Sequence, residues 1–314
     1  MAETSSGKIG VLVMSYGTPA SMEDIEPYYT HIRRGNPPSP EQLADLTDRY
    51  EAIVGGVFPL RENTDRQVQG LQEVLDRLAP GTYKCYQGLK HAKPFIEDGV
   101  EEMAADGIRE AVGIVLAPHY SVMSVGSYIK RAKETAEAKG MKLASVEEYH
   151  LHPKLIAALA DRVKAALKLF GGEVRPADVK VLFSAHSLPE RILEMGDPYV
   201  KQLLATSEAV AEAAGVSDWQ FTWQSAGRTH EPWLGPDILD TMQSLHTDGV
   251  MNILSAPIGF VSDHLEVLYD LDIEAKAFAN NLGIHFERIE MLNTDPFYME
   301  ALAESVMAAR NGSD

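Results

Sequence analysis

Two side chains in this sequence pair a proton acceptor with a metal donor. His186 lies in Ser184-Ala185-His186-Ser187-Leu188-Pro189, at the end of an apolar run. Glu266 follows a second such run, which ends at Ser255-Ala256-Pro257, and His264 is close by. Imidazole and carboxylate together suit divalent metals of intermediate hardness, Fe²⁺ among them. The same pair accepts protons near neutral pH. Beyond Glu266 come Asp270 and Glu274, each four residues on. On an α-helix that step is a little over one turn, so the three carboxylates form one row. Like charges so spaced oppose the helix by roughly 0.2–0.5 kcal/mol per pair. No Lys or Arg between Ala256 and Ala275 offsets them. A solvated acidic face would read the same way. The place of this helix, just past the carboxyl end of a strand, favours a path for cations, because open α/β sheets hold ligands there.

The elements that must position these groups follow from the pattern. Ile253 and Leu254 end a buried strand that Pro257 cannot continue. Ser262 or Asp263 caps the next helix, with Glu266 in the place of a capping-box partner, and Leu265, Leu268 and Leu271 form its apolar side. Elsewhere strands such as Ile9–Met14, Ala111–Leu116 and Lys180–Ser184 alternate with amphipathic helices, which predicts parallel sheets with helices on both faces. The halves also resemble each other. VLVMSYGTP at Val11–Pro19 answers VLFSAHSLP at Val181–Pro189, with Tyr16 in the place of His186. The fold class is therefore α/β, with two similar Rossmann-like domains, each a parallel sheet flanked by helices, and a cleft between them. The expected domains are 1–150 and 151–294, with a closing helix over 295–314 that packs back onto the first.

Composition narrows the partners. The formal net charge is −18 over 314 residues, which argues against nucleic acid and anionic membrane surfaces. Cys85 is the only cysteine, so no intramolecular disulfide or four-cysteine cluster can form. The N-terminal stretch lacks an apolar signal core, and the apolar runs are too short to span a bilayer. A cytoplasmic protein without stable membrane insertion is the simplest reading. HExxH, GxGxxG and Walker A patterns are absent, which weakens zinc protease, dinucleotide and P-loop readings. Arg33 and Arg49 fall near helix ends of the first domain and suit bidentate capture of carboxylates.

Several stretches together resemble the ferrochelatase family: Tyr28-Tyr29-Thr30-His31-Ile32-Arg33-Arg34-Gly35, Gly88-Leu89-Lys90-His91, Ser184–Pro189, Trp233-Leu234-Gly235-Pro236 and Gly259–Glu266. Tyr16 before Gly17-Thr18-Pro19 is similar to the soluble Gram-positive members that act on coproporphyrin III. The resemblance implies insertion of Fe²⁺ into coproporphyrin III, giving Fe-coproporphyrin III (coproheme) in haem biosynthesis. It makes His186 and Glu266 the catalytic and iron-binding pair. Tyr16, Arg33, Arg49, Tyr50, Phe58 and Tyr128 become porphyrin contacts, with Phe58 standing where the family usually has Ser. Asp270 and Glu274 extend a metal track that holds Mg²⁺ at its outer end. The family bends this helix into π turns. No cofactor is required, Fe²⁺ being a substrate. A monomer is implied, with transient contact to neighbouring haem-pathway enzymes. Residue insertion near Val54 and Ala226 in place of Glu are departures from the family pattern. The alternatives are a protoporphyrin IX ferrochelatase, a non-catalytic tetrapyrrole or metal carrier, and a nucleotide-sugar transferase of twin-domain type.

Overall fold

The structure is a computed structural model that describes residues 7–53, 58–227 and 229–312. Contacts divide the chain into two compact units, Met1–Tyr149 with Asn293–Asp314, and His150–Leu292.

In the first unit β1 (Ile9–Ser15), β2 (Tyr83–Leu89), β3 (Glu110–Val115) and β4 (Lys142–Val146) form a parallel sheet in the order β2-β1-β3-β4. β1 is buried at every residue because it pairs with β2 on one edge and β3 on the other, under helices on both faces. This burial is why its sequence runs apolar without alternation. The sequence between strands supplies α1 (Ile25–Ile32), α2 (Pro40–Ala52), α3 (Pro59–Leu78), α4 (Ile96–Ala105) and α5 (Val125–Ala138). Ser39 caps α2 with a full capping box to Gln42, and Pro40 opens its first turn. The closing helix, Pro296–Asn311, packs on α3, β3 and β4. Its Tyr298 is fully buried and donates to Tyr149 Oη at 3.2 Å, while Tyr149 donates to the Val115 carbonyl at 3.1 Å.

The second unit repeats the plan. β5 (Lys180–His186), β6 (Trp219–Gln224), β7 (Asn252–Ala256) and β8 (His285–Arg288) are parallel in the order β6-β5-β7-β8. In both units the first strand lies between the second and the third. β5 is therefore the counterpart of β1, and the match of Tyr16 to His186 in sequence is also a match in topology.

The stretch after β7 departs from the expected single α-helix. Four α-helical residues, Leu265–Leu268, lead into a wide π turn over Asp270–Ala275, and α-helix resumes at Lys276–Leu282. In the wide turn Glu274 N donates to Tyr269 O, five residues back, at 2.9 Å. Neither Ser262 nor Asp263 caps the start. The capping residue is His264, in extended backbone without a side-chain cap bond, and Asp263 pairs with Arg288 instead. The buried side is Val267, Leu271, Ala275 and Ala279, while Leu265 and Leu268 are only half-buried. A face that steps by four each time over-rotates an α-helix by about 40° per step. One wide turn absorbs an extra residue and returns that face to a core built with Leu182, Met242 and Phe286.

Candidate functional site

His186 ends β5, whose connection runs to β6 on one side while that of the adjacent β7 runs to β8 on the other, the place where α/β sheets hold ligands. The loop after β7 reaches this end because of Gly259. A Cβ there would lie 2.3 Å from Ala185 Cβ, so only glycine allows the approach that lets Gly259 N donate to Ser184 O at 3.1 Å. The loop then delivers His264 and Glu266. His186 Nε2 is 3.4 Å from Glu266 Oε1, and His264 Nε2 is 3.4 Å from Glu266 Oε2.

The far nitrogens of both rings are committed. His186 Nδ1 bonds the Ser187 carbonyl, and His264 Nδ1 bonds the Ser262 carbonyl at 2.9 Å. A carbonyl only accepts, so each Nδ1 carries the hydrogen. Each Nε2 is then the atom that exchanges a proton or a metal, facing the carboxylate. Burial alone would lower the His186 pKa, but the Glu266 carboxylate, aided by the Ser187 carbonyl and Asp270, raises it to about 9. Burial would raise Glu266, and His186 and His264 push it instead well below the usual carboxylate range. At neutral pH the pair is thus ionic, with its proton on His186. About a third of each side chain is exposed, so a cation can reach them. The two imidazoles address opposite oxygens of Glu266. Among the described residues no group of three or more His, Cys, Asp and Glu converges on one point where a metal could be held.

Supporting bonds come from β6. Gln224 accepts from Ser184 Oγ at 2.9 Å and donates to the Glu266 carbonyl at 3.3 Å. Ser225 has φ of 58°, in the left-handed region unusual for a non-glycine, and its Oγ donates to Asp270. Asp270 is buried, whereas Glu274 is exposed. Along the expected row the three carboxylates thus have different surroundings, with Glu266 half-buried, Asp270 buried and Glu274 exposed. Glu274 is near enough to Asp237 to help raise its pKa, after burial and Asp240. His264 was noted beside Glu266 in the sequence but given no role, while Ser225 lay outside the expected set and carries no local signal.

In the first unit Tyr16 follows β1 and is 42% exposed, with its ring 4.6 Å from His91. Gly17, at φ of 87°, turns the chain there. Lys90 and His91 follow β2 and extend the pairing, through Lys90 N to Ser15 O at 2.9 Å and His91 N to Tyr16 O at 3.0 Å. His91 Nδ1 faces His31 Nδ1 at 3.0 Å, so one of these two nitrogens donates and the other accepts. Lys90 Nζ lies 4.8 Å from the Tyr128 ring centre, and burial with Arg131 and Arg34 brings its pKa down to about 8. Burial, Lys90, His31 and Arg131 take His91 down to about 3. Lys90, Arg131 and Arg34 are thus near one another at this edge, with Arg131 paired to Glu97 at 2.7 Å. Tyr50, Phe58 and Tyr128 are buried. Tyr50 Oη is 3.2 Å from Thr18 Oγ1, and its ring packs tilted against that of Phe58. Arg33 donates to the Asn36 carbonyl, and Arg49 lies 3.4 Å from Asp45. Ala226 is exposed, and Val54 lies outside the described residues.

The ferrochelatase family model matches residues 8–310. The chain is 50% identical over 302 residues to the coproporphyrin III ferrochelatase of Oceanobacillus iheyensis, covering 96% of each chain. The chain belongs to the ferrochelatase family. A second ferrochelatase relative, the coproporphyrin III ferrochelatase of Bacillus subtilis, is 50% identical over 306 residues, covering 96% of this chain and 98% of that one. Among solved structures, SirB from Bacillus subtilis with Fe³⁺ is similar with a TM-score of 0.63 at 12% identity, covering 98% of this chain and 97% of that one. That likeness concerns the fold alone. In this ferrochelatase-family chain no described helix is long and apolar enough to cross a membrane.

Proposed function

We propose that this chain is a lyase that inserts Fe²⁺ into coproporphyrin III to give coproheme. The observation that carries the reading is the His186–Glu266 pair, with Nε2 and Oε1 3.4 Å apart, in a chain 50% identical to coproporphyrin III ferrochelatases. Insertion replaces two pyrrole N–H protons by one divalent ion, so the site must both donate to metal and accept protons. His186 and Glu266 take both roles. Two protein donors leave the remaining positions on iron to water and then to pyrrole nitrogens. His264, on the far oxygen of Glu266, offers a second acceptor for protons leaving the ring.

The porphyrin is held by Tyr16, Arg33, Arg49, Tyr50, Phe58 and Tyr128, with its propionates on the arginines of the first unit. Asp270 and Glu274 lead iron towards Glu266. The exposed Glu274, beside Asp237, suits a hydrated Mg²⁺, which binds through one or two carboxylates and keeps its waters. The protein acts in the cytoplasm as a monomer that meets neighbouring haem-pathway enzymes transiently. The test is the absorbance of coproporphyrin III with excess Fe²⁺ under anaerobic conditions. Many Soret-shifted product molecules per protein are expected. A shift that stops at one equivalent would replace the enzyme by a carrier.

A further inference from the structure

The stretch from Asp263 to Glu274 carries Asp263, Glu266, Asp270, Asp272 and Glu274 with no Lys or Arg. It contains a wide turn, whose hydrogen bonding is less favourable than that of an α-helix. The α-helical piece that bears Glu266 has only four residues, too few to hold that side chain by its own ladder. Something outside the stretch must keep it in place.

Arg288, the last residue of β8, meets that need. Its side chain is 14% exposed. Nε donates to Asp272 Oδ1 at 2.7 Å and Nη2 to Asp272 Oδ2 at 2.8 Å, a two-pronged contact. Nη2 also lies 3.4 Å from Asp263 Oδ1, and Nη1 donates to the Ile289 carbonyl at 2.8 Å. Every guanidinium nitrogen is used. Asp263 comes three residues before Glu266 and Asp272 six after it, so one cation ties down both ends of the stretch without touching Glu266. On the other side Ser225, at the end of β6, holds Asp270. β6 and β8 are the two edge strands of this sheet. The wide turn is thus moored at both edges, across the carboxyl ends of the strands.

We infer that Arg288 is a positioning residue for Glu266, acting through Asp263 and Asp272; the inference rests on the metal-handling role proposed for Glu266. Lysine cannot replace it, because an ammonium is a point charge and lacks the planar fork. The experiment compares wild type, Arg288→Lys, Asp272→Asn and the double variant by melting temperature, by calorimetric Co²⁺ affinity without porphyrin, and by kcat and KM. Arg288→Lys should weaken Co²⁺ binding and lower kcat by about tenfold each, the usual scale for groups that orient a metal donor. KM for coproporphyrin III should stay within about twofold, since no porphyrin contact is removed. Asp272→Asn should show the same pattern, and the double variant should be no worse than either. Unchanged Co²⁺ affinity and kcat, with or without a lower melting temperature, would overturn the inference and leave a purely structural salt bridge. If Arg288→Lys fails to fold, Asp272→Asn decides by the same criteria. If wild type fails to metallate coproporphyrin III, the proposed function falls, and the Co²⁺ arm still decides whether Arg288 positions the donor.

Discussion

The proton on His186 is the resident cation of the candidate site. Its Nδ1 is held by the Ser187 carbonyl, so Nε2 must exchange that proton for iron. His186→Ala should lower iron insertion by about a hundredfold, because a donor is lost at the reacting centre. Porphyrin affinity, read by tryptophan quenching, should barely change, and a wild-type rate would remove His186 from the mechanism. Lys90 allows a second test at this scale. Burial, Arg131 and Arg34 bring its pKa from the usual 10.5 to about 8. The folded chain binds fewer protons than the unfolded chain between those values, so this group makes stability rise with pH across the window. Lys90→Met should therefore melt a few degrees higher than the parent at neutral pH, with the advantage fading as pH climbs past the folded value. An advantage independent of pH would mean that packing, and not charge, is responsible.

The wide turn is the element on which the acidic path depends. Its buried face, Val267, Leu271, Ala275 and Ala279, steps by four each time. Deleting the exposed Ile273 would change the last steps to three and four, which a plain α-helix accommodates. The deletion variant should melt close to wild type yet insert iron about tenfold more slowly, because Asp270 would swing away from Ser225. Normal activity with a plain helix would show that the wide turn is incidental. Within the same element the carboxylates should differ. Glu266→Gln should be severe and Asp270→Asn intermediate, while Glu274→Gln should chiefly reduce the response to Mg²⁺. A solvated face would instead give three variants that all melt slightly higher and all metallate normally. Spacing alone pointed to a single α-helix, whereas the structure has a wide turn there, and the four-residue repeat of buried residues was the available sign of it.

At the scale of the molecule, charge bears on the proposed choice of substrate. A chain of net charge −18 repels a tetracarboxylate unless local cations reverse the field. In the first unit Lys90, Arg34, Arg33 and Arg49 are the cations proposed to do so. Charge-assisted bonds contribute about 1.5–3 kcal/mol each, so two additional propionates should favour coproporphyrin III over protoporphyrin IX by at least about tenfold in kcat/KM. Arg33→Met and Arg49→Met should each erode that ratio. Equal values for the two porphyrins in the wild type would remove the tetracarboxylate assignment.

Much of this protein was determined by its sequence. Apolar runs such as Ile9–Met14 and Lys180–Ser184 marked strands that the structure extends to Ser15 and His186, and their alternation with helices implied parallel sheets. The likeness of Val11–Pro19 to Val181–Pro189 announced the repeated sheet order. His186 and Glu266 were singled out from their places at and beyond strand ends, and the structure brings them within 3.4 Å of each other. The tertiary structure decided the rest. Arg288 meets Asp272 across sixteen residues, and Ser225 meets Asp270 across forty-five. Neither pair has a local signature. Asp263 illustrates the reason: helix capping and the pairing with Arg288 compete for one carboxylate. Capping is the bond that sequence proximity suggests, and the guanidinium arrives only once β8 has joined the sheet.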